Sequence, residues 1–290
     1  MAEYDIAVIG GDRRTAFMIP FFQENGYRVI SFGIQETENE KTEAAALQKM
    51  ASCQVKPDGR ANSLKEALDS ADVIVGGIPL EKEGVLEIRE LSRLIRKRHT
   101  IFGGVIPESF RQECSERDIL CCDFMLVEGI AVFNAVATAE GAVLEALRHK
   151  DTNIHKSESL VIGYGRCGKI LSDKLKGLSA CVTICSNSRI ELAVADAYGF
   201  RTLPLEQLES KAGEFEYIYN TAPALLLTEE LLEKIREDAL IIDIASGSGG
   251  VDYMAAKRLG KAALRCPGLP GKYAGRTSAK CLTDYVLRHL

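Results

Sequence analysis

The chain has 290 residues, 46% hydrophobic and 27% charged, with 36 basic against 41 acidic side chains and a formal net charge of −5. That length fits two domains, and the balance excludes a disordered, collagen-like or coiled-coil chain and offers no basic stripe for a nucleic acid. No apolar run reaches the ~18–20 residues of a bilayer-spanning helix, and the opening MAEYDIAVIGG lacks a signal peptide's basic segment and cleavage site, so a cytoplasmic protein without membrane or nucleic-acid partner is expected.

In the first half, strand-like runs are expected at residues 5–9, 28–32, 72–76, 100–102 and 119–122. Helical patterns lie between them at 15–24, 40–51, 63–68, 86–96 and 107–116. Asn62 or Ser63 stands where an N-cap belongs, with charge in the turn that follows. The basic run at 89–98 reads as a solvated helix face. In the second half, strands are expected at 160–162, 181–185, 217–219, 240–244 and 262–265, and helices at 167–178, 190–197, 205–210, 228–237 and 253–259. Short apolar β-rich runs alternating with helices mean parallel sheet. The expected architecture is α/β: two doubly wound parallel-sheet domains with a cleft between them. The N-terminal one is Rossmann- or flavodoxin-like and the C-terminal one is an NAD(P)-binding Rossmann domain. The boundaries drawn are 1–137, a linking helix and loop at 138–154, the dinucleotide domain at 155–274, and a C-terminal helix at 275–290 that could return to the first domain.

Nine cysteines are scattered without metal-ligand spacing and without a histidine at a ligand offset, which reads as reduced thiols and no metal site. The four histidines, His99, His149, His155 and His289, fall in polar or terminal stretches and are not expected to act as bases.

The strongest motif is SLVIGYGRCGKIL at 159–171, with Gly163, Gly165 and Gly168 in GxGxxG spacing after a β-run and before a helix. The first glycine allows the turn, the second a close approach of pyrophosphate, and the third tight packing of helix on strand. Tyr164, Arg166 and Cys167 complete the loop, whose helix N-terminus suits phosphate. An NAD site would carry an acid at the end of the next strand. Here that strand runs into Ser186, Asn187, Ser188 and Arg189, a set without a carboxylate, which points to the 2′-phosphate of NADP, with NAD as the alternative. Two later strand ends face the same crevice and supply Thr221, Ala222 and Pro223, then Ala245 and Ser246. Gly247, Gly249 and Gly250 read equally as a ligand loop or as a flexible turn.

The first domain opens on IAVIGGDRR, a strand and glycines without the full dinucleotide spacing. Its Gly11, Asp12 and Arg13, with the strand ends GGIP (Gly77, Pro79) and GGVIP (Gly104), would line one sheet edge as a small-anion pocket.

The second half resembles the cofactor domains of 2-hydroxyacid dehydrogenases and S-adenosylhomocysteine hydrolases. It departs from the dehydrogenases where Ser246 replaces their arginine and Lys272 stands nearest their histidine. A likeness over nearly the whole chain is carried by GGDRR at 10–14, FNAVATAEGA at 133–142, DIASGSGGVD at 243–252 and PGLPGK at 267–272. Together these resemble the family of dipicolinate synthase A subunits, except that Ser248 stands where that family usually has proline. The resemblance implies two α/β domains and a flavoprotein-like B subunit of dipicolinate synthase for a partner. It also implies NAD(P)-linked aromatisation of dihydrodipicolinate, or its hydroxytetrahydro precursor, to dipicolinate in the mother cell of a sporulating bacterium. A dicarboxylate substrate needs donors, for which Arg13, Lys272 and the N–H groups after Gly11 and Gly104 are candidates. Asn134, Pro270 and Gly271 join the substrate set by the resemblance. A general base must take the ring proton, and Lys272 with a lowered pKa, Glu128 and Glu140 are the candidates. Two other readings stay open: a 2-hydroxyacid-dehydrogenase-like oxidoreductase, and a non-catalytic regulatory subunit that binds a dinucleotide. Oligomeric state, including a homo-oligomer, is open as well.

Overall fold

The computed structural model describes residues 2–34 and 56–290, so the helix expected at 40–51 and Cys53 lie outside the described residues. The chain divides into two units: Met1–Phe133 with Ala274–Leu290, and Asn134–Tyr273. The division falls inside the helix Glu128–His149. By length and composition this 22-residue helix is apolar enough to cross a bilayer, contrary to the expectation from apolar runs. The difference arises because its mean hydropathy comes from alanines and scattered aliphatics, and half of its most apolar window is buried in the fold.

Unit 1 holds a six-stranded parallel sheet. Its strands are β1 (Ile6–Ile9), β2 (Val29–Phe32), β3 (Gly59–Arg60), β4 (Val73–Gly76), β5 (Thr100–Gly103) and β6 (Leu120–Asp123), in the order β3-β2-β1-β4-β5-β6. Side chains alternate across a strand, and both faces are covered. Ile6 and Val8 pack with Met18, Ile19 and Phe22 of helix Arg13–Glu24 and with Ala279, Leu282 and Val286 of helix Gly275–Leu287. Ala7 and Ile9 face the other way, onto Leu64, Leu68, Leu91 and Phe110. A Cβ on Gly275 would come within 3.3 Å of the Phe17 ring, so this glycine lets the last helix lie close against the first. Ser63 is the N-cap of helix Leu64–Ser70, accepting from Glu66 N.

Unit 2 repeats the plan with β7 (Glu158–Ile162), β8 (Cys181–Ser186), β9 (Arg201–Pro204), β10 (Tyr217–Asn220), β11 (Leu240–Asp243) and β12 (Ala262–Arg265), in the order β12-β11-β10-β7-β8-β9. Val161 points to the face covered by Ala139, Ala142, Ala146, Leu171 and Leu269, and Leu160 and Ile162 to the face covered by Leu208, Leu232 and Ala255. In each sheet the chain reverses direction of winding beside its first strand, which leaves a crevice at the carboxyl ends of β1 and β4 and of β7 and β10.

Two edge strands, β3 and β9, carry no strong apolar alternation and are not evident in the sequence. The expected helix at 205–210 is a 3-10 turn, Leu205–Gln207, followed by the short helix Leu208–Lys211. The helices expected at 86–96 and 228–237 are trimmed to Ile88–Leu94 and Glu229–Lys234. The basic run is surface charge met by acids: Arg96 lies 3.1 Å from Asp69, Lys97 2.9 Å from Asp118 and Arg98 3.0 Å from Asp72.

Candidate functional site

The glycine loop of unit 2 leaves β7 at Gly163, whose φ of +90° suits only glycine, and whose N–H is held by Cys185 O at 2.8 Å. A Cβ on Gly168 would sit 2.2 Å from Gly163 O, so the third glycine is required for helix Arg166–Gly177 to meet the strand. A Cβ on Gly165 would meet nothing within 4 Å, so the loop faces open space there. No side chain caps the N-terminus of that helix. An uncapped helix N-terminus behind a glycine turn presents N–H donors and partial positive charge, which is what a pyrophosphate needs.

Thr221 closes the other side. Its N–H and Oγ1 both donate to Ile162 O at 2.9 Å, and its Oγ1 fills the space beside Gly163. Ala222 follows, held by Asn220: Ala222 N donates to Asn220 Oδ1 at 3.2 Å, and Asn220 Nδ2 donates to Ala222 O at 3.1 Å. The next strand end is organised by Asp243, which is buried and accepts from Asn220 Nδ2 (2.9 Å), Ala245 N (3.1 Å), Gly250 N (2.7 Å) and Tyr253 OH (2.8 Å). Burial, and donation to this carboxylate, push the Tyr253 phenol well up. Gly249 and Gly250 are needed for this packing, since a Cβ would fall 2.4 Å from Asp243 Oδ2 and 2.3 Å from Asn220 Nδ2 respectively. The loop from Ala245 through Ser246 is therefore anchored at both ends. The Asn220–Asp243–Tyr253 network escaped the sequence reading, because an Asn or Asp at a strand end looks like an ordinary turn residue.

The structure thus gathers Gly163 to Gly168, Ser186, Thr221, Ala222 and Ala245 along the carboxyl edge of neighbouring strands β8, β7, β10 and β11. The Tyr164 ring is the exception. It is buried in the core edge-to-face with Phe200, so only its backbone faces the loop. Asn187, Arg189, Pro223 and Ser246 are exposed. The expectation that no carboxylate stands at the end of β8 is corrected: Glu191, in the first turn of helix Arg189–Ala197, folds back so that its Oε2 accepts from Ser186 Oγ at 2.6 Å and from Tyr164 N at 3.3 Å. A search restricted to strand-end residues misses it, because the acid lies one helical turn further on.

The loops of unit 1 come together, but in a different state. A Cβ on Gly77 would lie 2.5 Å from Gly11 Cα, and Gly104 N donates to Gly77 O at 2.9 Å, so the three glycine-bearing strand ends touch. Two carboxylates, Asp12 and Asp123, already engage groups along this edge. Asp12 caps helix Arg13–Glu24 by accepting from Arg14 N at 2.9 Å, and Arg14 Nη2 grips Asp12 Oδ2 at 2.7 Å and Ile78 O at 2.6 Å. The Arg13 guanidinium lies over the Phe17 ring, 5.7 Å from its centroid. The N–H after Gly104 is taken by Asp123 Oδ1, 3.0 Å from Val105 N. Of the donors expected for a ligand on this edge, the N–H after Gly104 is therefore taken by a carboxylate of the protein itself. Pro79, reached by Arg14 through the preceding carbonyl, lies on this edge, whereas Asn134, Pro270 and Gly271 belong to unit 2, the latter two buried in helix Leu269–Tyr273.

Among the candidate bases, Lys272 is bound to a buried acid. Its Nζ donates to Glu145 Oε1 at 2.5 Å, and Tyr273 OH donates to the same oxygen at 2.6 Å. The Glu145 side chain is 5% exposed and that of Lys272 is 54% exposed. The bond to Glu145, then that to Tyr273, raises the Lys272 pKa, so the expected lowered value is corrected: this ammonium holds its proton. Glu140 is exposed and paired with Lys174 at 2.8 Å, and Glu128 is exposed at the start of its helix in unit 1. Burial pushes the Cys185 thiol up to about 12 and that of Cys266 up to about 11, so both are neutral thiols.

Residues 5–125 match the family described as the N-terminal domain of the dipicolinate synthase A subunit. The dipicolinate synthase A subunit of Bacillus subtilis (strain 168) is 27% identical over 289 residues, covering 98% of this chain and 95% of that protein. Along its whole length the chain resembles the dipicolinate synthase A subunit. The crystal structure of that subunit from Bacillus halodurans superposes with a TM-score of 0.76 at 21% identity, covering 99% of this chain and 97% of that one, so the fold is shared. An adenosylhomocysteinase of Archaeoglobus fulgidus is 24% identical over 154 residues, 53% of this chain and 35% of that protein.

Proposed function

We propose that the chain is the A subunit of a dipicolinate synthase: a dinucleotide-linked oxidoreductase that aromatises dihydrodipicolinate, or its hydroxytetrahydro precursor, to dipicolinate together with the B subunit. The single observation that carries the cofactor half of this reading is the uncapped helix N-terminus behind Gly163–Gly168, set against the self-capped one at Asp12. The residue-by-residue fit is good: a glycine turn, an open approach at Gly165 and a close helix–strand contact at Gly168. The whole-chain likeness supports the reaction and the partner. It also supports a role in sporulation, in the cytoplasm of the mother cell.

When bound, NADP or NAD would accept the hydride that leaves the ring, while a proton is lost from the neighbouring atom. The backbone N–H groups at the start of helix Arg166–Gly177 would hold the pyrophosphate. Thr221 and Ala222, pinned by Asn220, and the loop Ala245–Ser246, pinned by Asp243, would fix the nicotinamide side and exclude water. Lys272 keeps its proton and would orient a carboxylate rather than act as base.

A second reading, in which this chain holds the dinucleotide and the B subunit completes the acid–base chemistry, is favoured by the Lys272–Glu145 pair, which removes the leading base candidate. One assay separates the two. Dipicolinate absorbance is followed with the chain alone and with the B subunit present, in the presence of either dinucleotide. Product from the chain alone supports the first reading, and product only with the B subunit supports the second. No product in either arm, with no dinucleotide reduced, overturns both.

A further inference from the structure

The crevice of unit 2 contains a charge that the cofactor reading has not used. We propose that Glu191 selects the dinucleotide: its carboxylate receives a ribose 2′-hydroxyl and rejects a 2′-phosphate, so that the chain takes NAD(H) in preference to NADP(H). This rests on the dinucleotide reading of the glycine loop and reverses the choice that Ser186–Arg189 suggest on their own.

The placement follows from three linked hydrogen bonds. Ser188 caps helix Arg189–Ala197 by accepting from Glu191 N at 3.3 Å, and Ser188 N donates to Ser186 Oγ at 3.0 Å. Ser186 Oγ then donates to Glu191 Oε2 at 2.6 Å. The set fixes the carboxylate over the end of β8, and Oε2 also reaches Tyr164 N at 3.3 Å across the neighbouring loop. Both bonds fall on Oε2, and among the described residues no hydrogen bond is made to Oε1. A hydroxyl donor arriving between β8 and the glycine loop would find that oxygen as its acceptor.

A 2′-phosphate in the same place carries about two negative charges and no donor at neutral pH. It would have to displace Glu191 from both the Tyr164 N–H and the Ser186 hydroxyl, or lie against an ionised carboxylate. Like charges so close in a partly desolvated crevice are strongly unfavourable. Arg189 is the counterweight, but it is exposed, where a single ion pair adds little. The acid half-buried against its donors therefore outweighs the solvated base.

The test is a titration of the full chain with NADH and with NADPH, followed by nucleotide fluorescence, repeated for Glu191→Gln, Glu191→Ala and Arg189→Ala. The parent is expected to bind NADH at least tenfold more tightly. Glu191→Gln and Glu191→Ala should each narrow that ratio at least tenfold, by losing NADH affinity, gaining NADPH affinity or both, whereas Arg189→Ala should change the ratio less than threefold. Near-native circular dichroism and a near-native melting temperature in either Glu191 variant show that it is folded. Equal or tighter NADPH binding by the parent, or an unchanged ratio in a folded Glu191 variant, overturns the proposal while the dinucleotide reading stands. Binding of neither nucleotide by the parent overturns the dinucleotide reading and the proposal with it.

Discussion

Asn220 and Asp243 face each other in register at the carboxyl ends of β10 and β11, and Asn220 Nδ2 donates to Asp243 Oδ1 at 2.9 Å. The pair ties two crevice loops to the sheet, one through Ala222 and the other through Ala245 and Gly250. Asp243 has four donors aimed at it, so Asp243→Ala leaves buried N–H and O–H groups without an acceptor. The expected loss is about 3–5 kcal/mol of stability, read from urea unfolding. Asp243→Asn, which keeps two acceptor lone pairs and the shape, should lose distinctly less. Equal losses would show that shape and one remaining oxygen rescue none of the network, against the expectation.

Gly168→Ala places a methyl 2.2 Å from a backbone oxygen that cannot turn away. The helix must shift off the strand, at a cost of about 1–3 kcal/mol. Its N-terminus moves with it, so dinucleotide affinity should fall at least tenfold. Gly165→Ala, which meets nothing in the protein, should be near neutral for stability and should weaken only binding. Thermal melts with and without nucleotide separate the two effects.

Lys272→Met removes the main cation beside a buried carboxylate. Lys272 is half exposed, and Tyr273 OH remains on Glu145, so the loss is discounted to about 1–2 kcal/mol at neutral pH. Burial alone would raise the Glu145 pKa, but the bonds from Lys272 and Tyr273 outweigh it and hold it below the ordinary value. A carboxylate with a depressed folded pKa contributes stability above its unfolded pKa of ~4.3, and that contribution is lost as pH falls through the folded value. The difference between Lys272→Met and the parent should therefore shrink in acid. A difference that stays constant from pH 7 to below the carboxylate range would count against the pair.

His99 is buried, its Nδ1 accepting from Arg96 N at 3.0 Å and its Nε2 lying 3.0 Å from Leu68 O. A ring that accepts at Nδ1 is disfavoured as the cation, and Arg98 Nε, which donates toward Nε2 at 3.2 Å, adds to that. Burial lowers the pKa, and the neighbouring Arg98 and Arg96 lower it further against the opposing Leu68 bond and Asp72. The unfolded chain then takes up a proton that the folded chain refuses. Stability should fall as pH drops below the unfolded value of ~6.5, until the folded value is reached. His99→Gln should flatten that slope in urea unfolding across the same range, and an unchanged slope would assign it to other groups.

The alternation of short apolar runs with helices, the Gly163–Gly168 turn and the Ser63 cap were legible because each depends on neighbours within a few residues. Backbone conformation and side-chain direction are local properties, so period, cap and turn identify them. Parallel pairing follows once the runs alternate with helices, which is why two doubly wound sheets could be expected from the order of elements.

What only the tertiary structure decided is where charge meets charge. Lys272 finds Glu145 from 127 residues away, and that contact turns a candidate base into a fixed cation. Asp12 caps its own helix and is gripped by Arg14, while the similar helix start behind Gly165 has no side-chain cap. Glu191 bends back one turn to the end of β8. A pKa, an accessible N–H or an excluded phosphate depends on distances of a few ångströms between side chains, and those distances are set when helices dock on the sheets, not by spacing along the chain.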